Sequence, residues 1–198
     1  MEPSLPRPFF DRPAVDVARD LVGRRLVRRS DEGTVAGIVV EAEAYTGVGD
    51  PASHAYGGRR TKRNEVMWGP PGHAYIYPIY GMYLCFNVVC GPVGEPQGAF
   101  IRAVRPTEGI ELMAARRGLP ASSVRQLCNG PSKLCLAFGI TREMNGTDVC
   151  ADELFFTAGE GGLEIETAPR IGIDYAGEGR SWPYRFMAKG DPFVSRPR

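Results

Sequence analysis

Residues 38–45 read Ile38-Val39-Val40-Glu41-Ala42-Glu43-Ala44-Tyr45. This run of β-branched and small apolar residues predicts a strand. Side chains alternate between the two faces of a strand, so Glu41, Glu43 and Tyr45 are expected to share one face. A second strand is predicted around residues 24–29, and the turn signal at 31–33 joins the two strands as a hairpin. Two carboxylates and an aromatic ring are therefore expected on a rigid two-stranded base.

Short helices and strands are predicted on both sides of this hairpin. Asp11 and Pro13 suit the start of an amphipathic helix that ends at Gly23, and Pro106 precedes a predicted helix over 107–117. Helical segments are expected within 122–138, and strands within 73–90, 100–104, 153–156, 164–167, 170–173 and 184–187. The elements lack regular β-α-β alternation, which favours an α+β fold. We expect one domain over residues 11–198, preceded by an N-terminal tail, residues 1–10, that docks through Phe9 and Phe10.

Composition narrows the classes of function. The 198 residues are 43% hydrophobic and 24% charged, which is ordinary for a globular domain. The net charge of +1 means that a nucleic-acid partner would need a local patch, for which residues 59–63 are a candidate. The absence of a long apolar run or signal pattern predicts a cytoplasmic protein with no membrane partner. Five cysteines without a C-x-x-C pair indicate neither a disulfide framework nor structural zinc, so we expect them to be buried.

The pair Glu41 and Glu43 supports two interpretations. A buried carboxylate in an aromatic site can have a raised pKa and act as a general base that activates water. Alternatively, the two residues are solvated charges on an exposed strand face, because glutamate is rarely buried without a partner. Their spacing does not decide between these interpretations.

A dense run of tyrosines follows, at positions 75, 77, 80 and 83. Such rings can stack on a flat substrate, as aromatic side chains do on bases taken out of a helix. They can equally form a strand core in which the hydroxyls find local partners. Residues 73–90 read as two strands joined by a turn near 79–82, which places Tyr80 at the hairpin tip. A large ring at an exposed turn is harder to explain as core, so Tyr80 is the strongest candidate of the group.

The remaining polar candidates are less specific. His54 and His73 could act in catalysis or be structural, and no second ligand at metal spacing supports a metal site. The basic run 59–63 could contact phosphates or be a solvated loop. Residues 129–133, Asn-Gly-Pro-Ser-Lys, could bind a phosphate at a helix start but lack the glycine spacing of a nucleotide-binding P-loop.

Taken in order, several strings resemble the alkyladenine (3-methyladenine) DNA glycosylase family. They are Glu-Ala-Glu43-Ala-Tyr45, His54, Gly57-Gly-Arg59, Arg63-Asn64, Tyr77-x-x-Tyr80-Gly-Met-Tyr83, Asn87, Arg102-Ala and Gly130-Pro-Ser-Lys-Leu-Cys135. The ordered match runs from about residue 12 to residue 195. The resemblance implies a single glycosylase domain with a curved, mostly antiparallel sheet, short surrounding helices and a protruding β-hairpin. It also implies a monomer that flips a damaged purine from duplex DNA and hydrolyses its N-glycosidic bond without cofactor or metal.

The resemblance assigns a role to each matched position. It implies Glu43 as general base and Arg102 as the group that holds the attacking water; Tyr45, His54, Tyr77 and Asn87 as the base pocket; Tyr80, with Met67 and Tyr83, as the wedge and minor-groove contacts; and Arg59 and Lys133 as phosphate contacts. This chain departs from the family pattern at Pro78, which removes a strand hydrogen-bond donor near the wedge, and in the segment 90–98. Two rivals remain, a nucleic-acid-binding module without catalysis and a formyl- or acyl-group transferase.

Overall fold

The predicted hairpin lies inside the sheet of the computed structural model, which describes residues 3–195. Strand β1 (Arg25–Ser30) pairs antiparallel with β2 (Gly33–Tyr45), and Ser30 opposes Gly33 at the turn. Gly33 has a φ of 131°, which residues with a side chain rarely adopt, so this turn depends on glycine. The hairpin prediction is confirmed.

Six further strands complete one antiparallel sheet. They are β3 (Ala74–Ile79), β4 (Tyr83–Cys90), β5 (Gln97–Glu108), β6 (Leu154–Thr157), β7 (Ile165–Ala168) and β8 (Arg185–Ala188). The main order is β3-β4-β5-β2-β1-β6, while β8 pairs with β2 and β7. The sheet curls into a half-barrel, which confirms the α+β fold and the single compact domain.

Short helices cover the sheet. They are α1 (Arg7–Phe10), α2 (Ala14–Leu21), α3 (Ile110–Arg117), α4 (Val124–Leu127) and α5 (Pro131–Phe138). The apolar stripe of α2 is fully buried and packs on β2 and β5, whereas α5 packs on β4. Four of the five cysteines are buried and all five are free, as expected, with Cys150 only half-buried.

The N-terminal segment is more ordered than the predicted tail. Residues from Arg7 form helix α1, and Phe10 is fully buried in the main core. Arg7 donates to the carbonyl oxygen of Pro71 at 2.6 Å and pairs with Asp148 at 2.6 Å. Asp11 does not cap α2, because its backbone N–H closes α1 and Pro13 takes the cap position. Pro6 and Pro13 are compatible with the two helices because each stands at a helix start, as N-cap of α1 and of α2.

The helix predicted over 107–117 ends at Arg117 as expected but starts later, and the strand predicted over 170–173 is wrong. Pro106 belongs to β5, and the following helix starts only at Ile110 after Gly109 turns the chain with a φ of 71°. Residues 170–173 form a loop and no strand. Arg170 is buried and donates to Asp50, and the backbone amide of Ile171 donates to the Glu43 side chain. Neither residue therefore pairs with a neighbouring strand.

The protruding β3–β4 hairpin agrees with its prediction. Tyr80 lies in the turn with a φ of 49°, and 88% of its surface is exposed. Pro78 keeps its pairing opposite Leu84. Among the described residues β3 has no second partner strand, and residues 145–148 bond only to its first residues, so no ladder hydrogen bond is lost at Pro78. The proline therefore does not interrupt the hairpin.

Candidate active site

The two predicted carboxylates lie next to each other and share one arginine. Both Glu41 and Glu43 are fully buried on β2, beside a bulge in the pairing with β5. Arg102 of β5 donates from Nε to Glu41 Oε1 at 2.9 Å, and its Nη1 lies 3.2 Å from Glu43 Oε1. The interpretation as solvated surface charges is therefore wrong. We call these three residues the carboxylate wall.

The remaining partners of the two glutamates differ. Glu41 Oε2 accepts from the backbone amide of Ser195 at 2.7 Å, and Glu41 Oε1 also lies 3.4 Å from Nη1 of Arg185. Glu43 accepts from the backbone amide of Ile171 at 2.8 Å and from the Tyr45 hydroxyl at 3.0 Å. Tyr45 and Ile171 both line the cavity that lies in front of the carboxylate wall and is described below. Glu43 is therefore the carboxylate directly behind the cavity surface.

The environment of Glu43 suits a proton acceptor. Burial raises its pKa above the ordinary value of 4.5, although Arg102, the Ile171 amide and the Tyr45 hydroxyl act in the opposite direction. Burial and the neighbouring carboxylate raise the pKa of Tyr45 well above 10, so its hydroxyl stays protonated and donates to Glu43. A carboxylate of raised pKa can take a proton from water near neutral pH.

An aromatic cavity of about 450 Å³ lies in front of the carboxylate wall. The rings that line it are Tyr45, His54, Tyr75, Tyr77, Tyr80, Phe100 and Tyr175, and Asn87 and Arg102 also line it. The centroid of the Tyr77 ring lies 4.6 Å from that of His54 and 5.1 Å from that of Tyr75, so these three rings form one cluster. The structure thus brings all four predicted base-pocket residues together with Arg102. This size is typical of a small-ligand site.

His54 is a neutral hydrogen-bonding group in this cavity. Its Nδ1 lies 2.8 Å from the Tyr75 hydroxyl. Burial, aided by the charges of Arg63 and Arg59, lowers its pKa to about 4. The ring is therefore uncharged near pH 7. His73 lies elsewhere, 3.1 Å from the Pro70 carbonyl oxygen, in a structural contact.

Asn87 and Met67 line the cavity from its inner side. The side-chain amide of Asn87 donates to the Tyr75 carbonyl at 3.2 Å, which fixes its orientation. Met67 is only 3% exposed and packs against Tyr75 and Val89. Met67 therefore supports the cavity from within, and the groove contact expected for it stays a prediction. Met82, to which the sequence analysis gave no role, is 76% exposed beside Tyr80.

The hairpin tip, residues 80–83, presents its apolar side chains to solvent. Tyr80 and Met82 are 88% and 76% exposed, and Tyr83 is half-exposed. Tyr80 also borders the cavity. Its positive φ is unusual for a residue with a side chain, and such strain marks functional turns. The tip therefore places exposed apolar side chains next to the cavity.

The two predicted phosphate contacts lie in different cavities. Lys133, at the start of α5, lines a cavity of about 440 Å³ with Tyr80 and Tyr83, and its Nζ donates to Asn129 Oδ1 at 2.9 Å. Arg59 is exposed and lines a different cavity, which also includes His54. The structure therefore does not bring Arg59 and Lys133 together.

Sequence reasoning missed the groups that hold the cavity walls. Asn64 is buried and donates to the backbone carbonyls of His54 and Arg59, which fixes the basic loop. Asp50 and Arg170 form a fully buried ion pair behind Tyr45. Asn64 was visible in the matched strings, but 120 residues separate Asp50 from Arg170 and no spacing signal links them.

Residues 3–195 contain neither a cluster of metal-ligating side chains nor a membrane-spanning helix. No three His, Cys, Asp or Glu side chains in that range are grouped as potential metal ligands. No helix in the same range is long and apolar enough to cross a membrane.

Chemistry on a DNA base requires the base to leave the stack and enter a site in the protein. In that site aromatic rings hold the base, and a proton acceptor takes part in the reaction at the sugar. The cavity has such rings in its lining, and Glu43 lies directly behind one of them, Tyr45. The class of protein that this arrangement defines is a DNA glycosylase. Comparison of the sequence with known protein families indicates the same class. Residues 8–192 match the family described as methylpurine-DNA glycosylase (MPG), and the chain belongs to that family.

Relatives over nearly the whole chain agree. A protein of Methanocella arvoryzae is 50% identical over 195 residues, which cover 98% of this chain and 96% of the relative. Proteins of Bacillus cytotoxicus and Clostridium acetobutylicum are each 46% identical over 96% of this chain and 98% and 97% of their own. All three are named as 3-methyladenine DNA glycosylases. The resemblance found in the sequence is confirmed, and neither rival class gains support.

Proposed function

We propose that this DNA glycosylase removes alkylated or deaminated purines from double-stranded DNA and so starts base excision repair. The candidate lesions are 3-methyladenine, 7-methylguanine, hypoxanthine and ethenoadenine. The single observation that carries the proposal is the position of Glu43, fully buried with a raised pKa directly behind an aromatic cavity of base-binding size. The names of the relatives support 3-methyladenine as one substrate.

The cavity suits a flipped purine. Tyr45 would form one side of the stack and the cluster of Tyr77 and His54 the other, with Asn87 facing the edge of the base. Extrusion of a base costs a few kcal/mol of stacking and pairing. The exposed ring of Tyr80 would enter the vacated space and offset part of that cost.

Hydrolysis needs one water, one base and a leaving group. In this proposal Glu43 accepts a proton from water while the water oxygen forms a bond to C1′ of the sugar. The bond between C1′ and the purine nitrogen breaks, and its electron pair leaves with the base. Arg102 borders the cavity and contacts Glu43, so it can hold the water beside the carboxylate. No covalent enzyme intermediate is required.

Binding of the DNA would use two separate basic groups. Lys133, beside Tyr80 and Tyr83, and Arg59, in the cavity that includes His54, would each neutralise a phosphate. Tyr83 and Met82 would lie along the minor groove beside Tyr80. We propose that the protein acts as a monomer in the cytoplasm on damaged double-stranded DNA.

A panel of duplexes with one lesion each tests this function. Each duplex is incubated with excess enzyme, treated with alkali and examined for strand breaks. We expect breaks at 3-methyladenine and at one or more of the other candidate purines, but none at normal adenine or guanine. Binding to every duplex without a break at any lesion would contradict the proposed function.

A further inference from the structure

A fully buried ion pair lies behind the cavity and belongs to none of the roles above. Arg170 donates from Nη1 and Nη2 to the two carboxylate oxygens of Asp50 at 2.5 and 2.8 Å, and both side chains are 0% exposed. Neither residue lines the cavity. Burial of two charges is costly and is often no better for stability than apolar packing. The pair therefore calls for a function other than stability.

The pair connects three segments that form the cavity. Arg170 also donates to the backbone carbonyls of Ala44, in β2, at 2.9 Å and of Gly179 at 3.3 Å. Asp50 accepts from the backbone amides of Thr46 and Ala52 at 3.1 and 2.9 Å. One ion pair thus joins the end of β2, the loop that leads to His54, and the loop 170–179.

Arg170 also acts on the two groups closest to the chemistry. Its guanidinium lies 4.7 Å from the centroid of the Tyr45 ring and covers the ring from behind the cavity. The next residue, Ile171, donates its amide to Glu43 at 2.8 Å. The rigid fork of Arg170 therefore sets both the plane of the stacking ring and the hydrogen bond that stabilises the ionised carboxylate.

We propose that Arg170 and Asp50 are positioning residues for base excision, which hold Tyr45 and the Ile171 amide at the geometry that Glu43 needs. This inference rests on the proposed role of Glu43 as general base. When the fork is lost, the Ile171 amide moves away from the carboxylate, and the ionised form of Glu43 loses one hydrogen bond. The base then takes up a proton at higher pH and works more slowly.

Two variants test the inference, Arg170→Lys, which keeps the charge without the fork, and Asp50→Asn, which keeps the shape without the charge. Single-turnover excision is measured against pH, together with affinity for a duplex that contains an abasic-site analogue. We expect a roughly tenfold lower maximal rate, as for the loss of one hydrogen bond. We also expect the acidic limb of the profile to move to higher pH, with affinity within about threefold of the wild type.

The matched control is Arg28→Lys, because Arg28 is also nearly buried and ion-paired, with Glu153 at 3.1 Å, and does not line the cavity. This variant should lower the melting temperature and leave the pH profile unchanged. If Arg170→Lys and Asp50→Asn likewise lower only the melting temperature, the pair is structural and the inference is wrong.

A measurement on the wild-type protein tests the inference even if the two variants do not fold. Hydrogen exchange should be as slow at the Ile171 amide and in residues 50–54 as in β2, and exchange as fast as at the hairpin tip would overturn the inference. Failure of the proposed function has a different result, namely a wild-type enzyme that excises no lesion or a Glu43→Gln variant that excises normally.

Discussion

The carboxylate wall and the hairpin tip lie on the same cavity but are built in opposite ways. Glu41 and Glu43 have no exposed surface, and every recorded partner of Arg102 is buried with them. Tyr80 at the tip is 88% exposed and stands in a strained turn. One region has its hydrogen bonds satisfied within the protein, and the other presents apolar surface to solvent.

This difference separates two tasks. A general base must have a fixed position and a shifted pKa, and both require burial and defined partners. A wedge must enter a DNA helix, so its contacts can form only with the DNA. We therefore expect changes in the wall to affect stability and the chemical step together, whereas changes in the tip should affect only events on DNA.

The largest effect is expected for Arg102→Met, which breaks the wall. Removal of the shared guanidinium leaves the buried Glu43 without a charged partner and leaves Glu41 with Arg185 at 3.4 Å. Loss of one partner of a buried pair typically costs about 3–5 kcal/mol. Urea denaturation at pH 7.5 measures this loss of unfolding free energy. The loss should be smaller at pH 5.5, because burial raises the pKa of Glu43 and protonation removes its unpaired charge.

A variant with an exposed ion pair is the control for Arg102→Met. Arg60 pairs with Glu65 at 2.5 Å, and both side chains are more than half exposed. Arg60→Met should unfold at nearly the wild-type urea concentration. Equal destabilisation of the two variants would refute the assignment of the wall as a coupled buried unit.

The next effect concerns His54, which belongs with the buried region although it adjoins the basic loop. Its folded pKa of about 4 lies below the ordinary 6.5, so the unfolded chain binds the proton first as the pH falls. The stability from the neutral ring is complete above pH 6.5 and is lost progressively down to pH 4. The loss should be roughly 3 kcal/mol over that range.

Thermal or urea unfolding of the wild type and His54→Gln across this range measures the effect. The variant should lose less stability between pH 6.5 and pH 4 than the wild type. His73→Gln is the comparison variant, since His73 makes a different set of contacts outside the cavity. A proton titration of His54 near pH 6.5 by NMR would show that the prediction is wrong.

The smallest effect is expected at the tip. Tyr80→Ser removes one stacking ring, which is worth about 1–3 kcal/mol per base, so excision from a fully paired duplex should slow by roughly tenfold or more. The loss of excision rate should be smaller at a mismatched lesion, because extrusion of a mismatched base costs less free energy. Stability should not change, because the ring is almost fully exposed.

Val93→Ser is the control for the tip, since Val93 is an exposed apolar residue that lines neither cavity bordered by Tyr80. It should alter neither stability nor excision. Equal slowing of matched and mismatched substrates by Tyr80→Ser would argue against a wedge.

The sequence predicted the parts of the fold that depend on local patterns. Alternation and turn residues identified the hairpin of β1 and β2, and the glycine-containing turn placed Tyr80 at a tip. Local patterns failed where long-range contacts decide the structure. The loop 170–173 has the composition of a strand, but its polar groups bond to Asp50 and Glu43 instead of a neighbouring strand.

The site could be predicted in part for the same reason. The family strings located Glu43, Tyr45, His54, Tyr77, Asn87 and Arg102, which the structure brings together around one cavity. The strings could not reveal that Met67 is buried while Met82 is exposed, because exposure depends on how the hairpin projects from the sheet. Likewise, nothing in the sequence pairs Asp50 with Arg170.

Single-turnover excision of 3-methyladenine by the wild type and Glu43→Gln, measured as a function of pH, tests the central claim most directly. The wild-type rate should fall as the pH drops through a midpoint above 4.5, because Glu43 must be ionised and burial raises its pKa. Glu43→Gln should bind an abasic-site duplex normally and excise about 10²–10⁴ times more slowly at every pH. Excision by Glu43→Gln at the wild-type rate would contradict the role of Glu43 as general base.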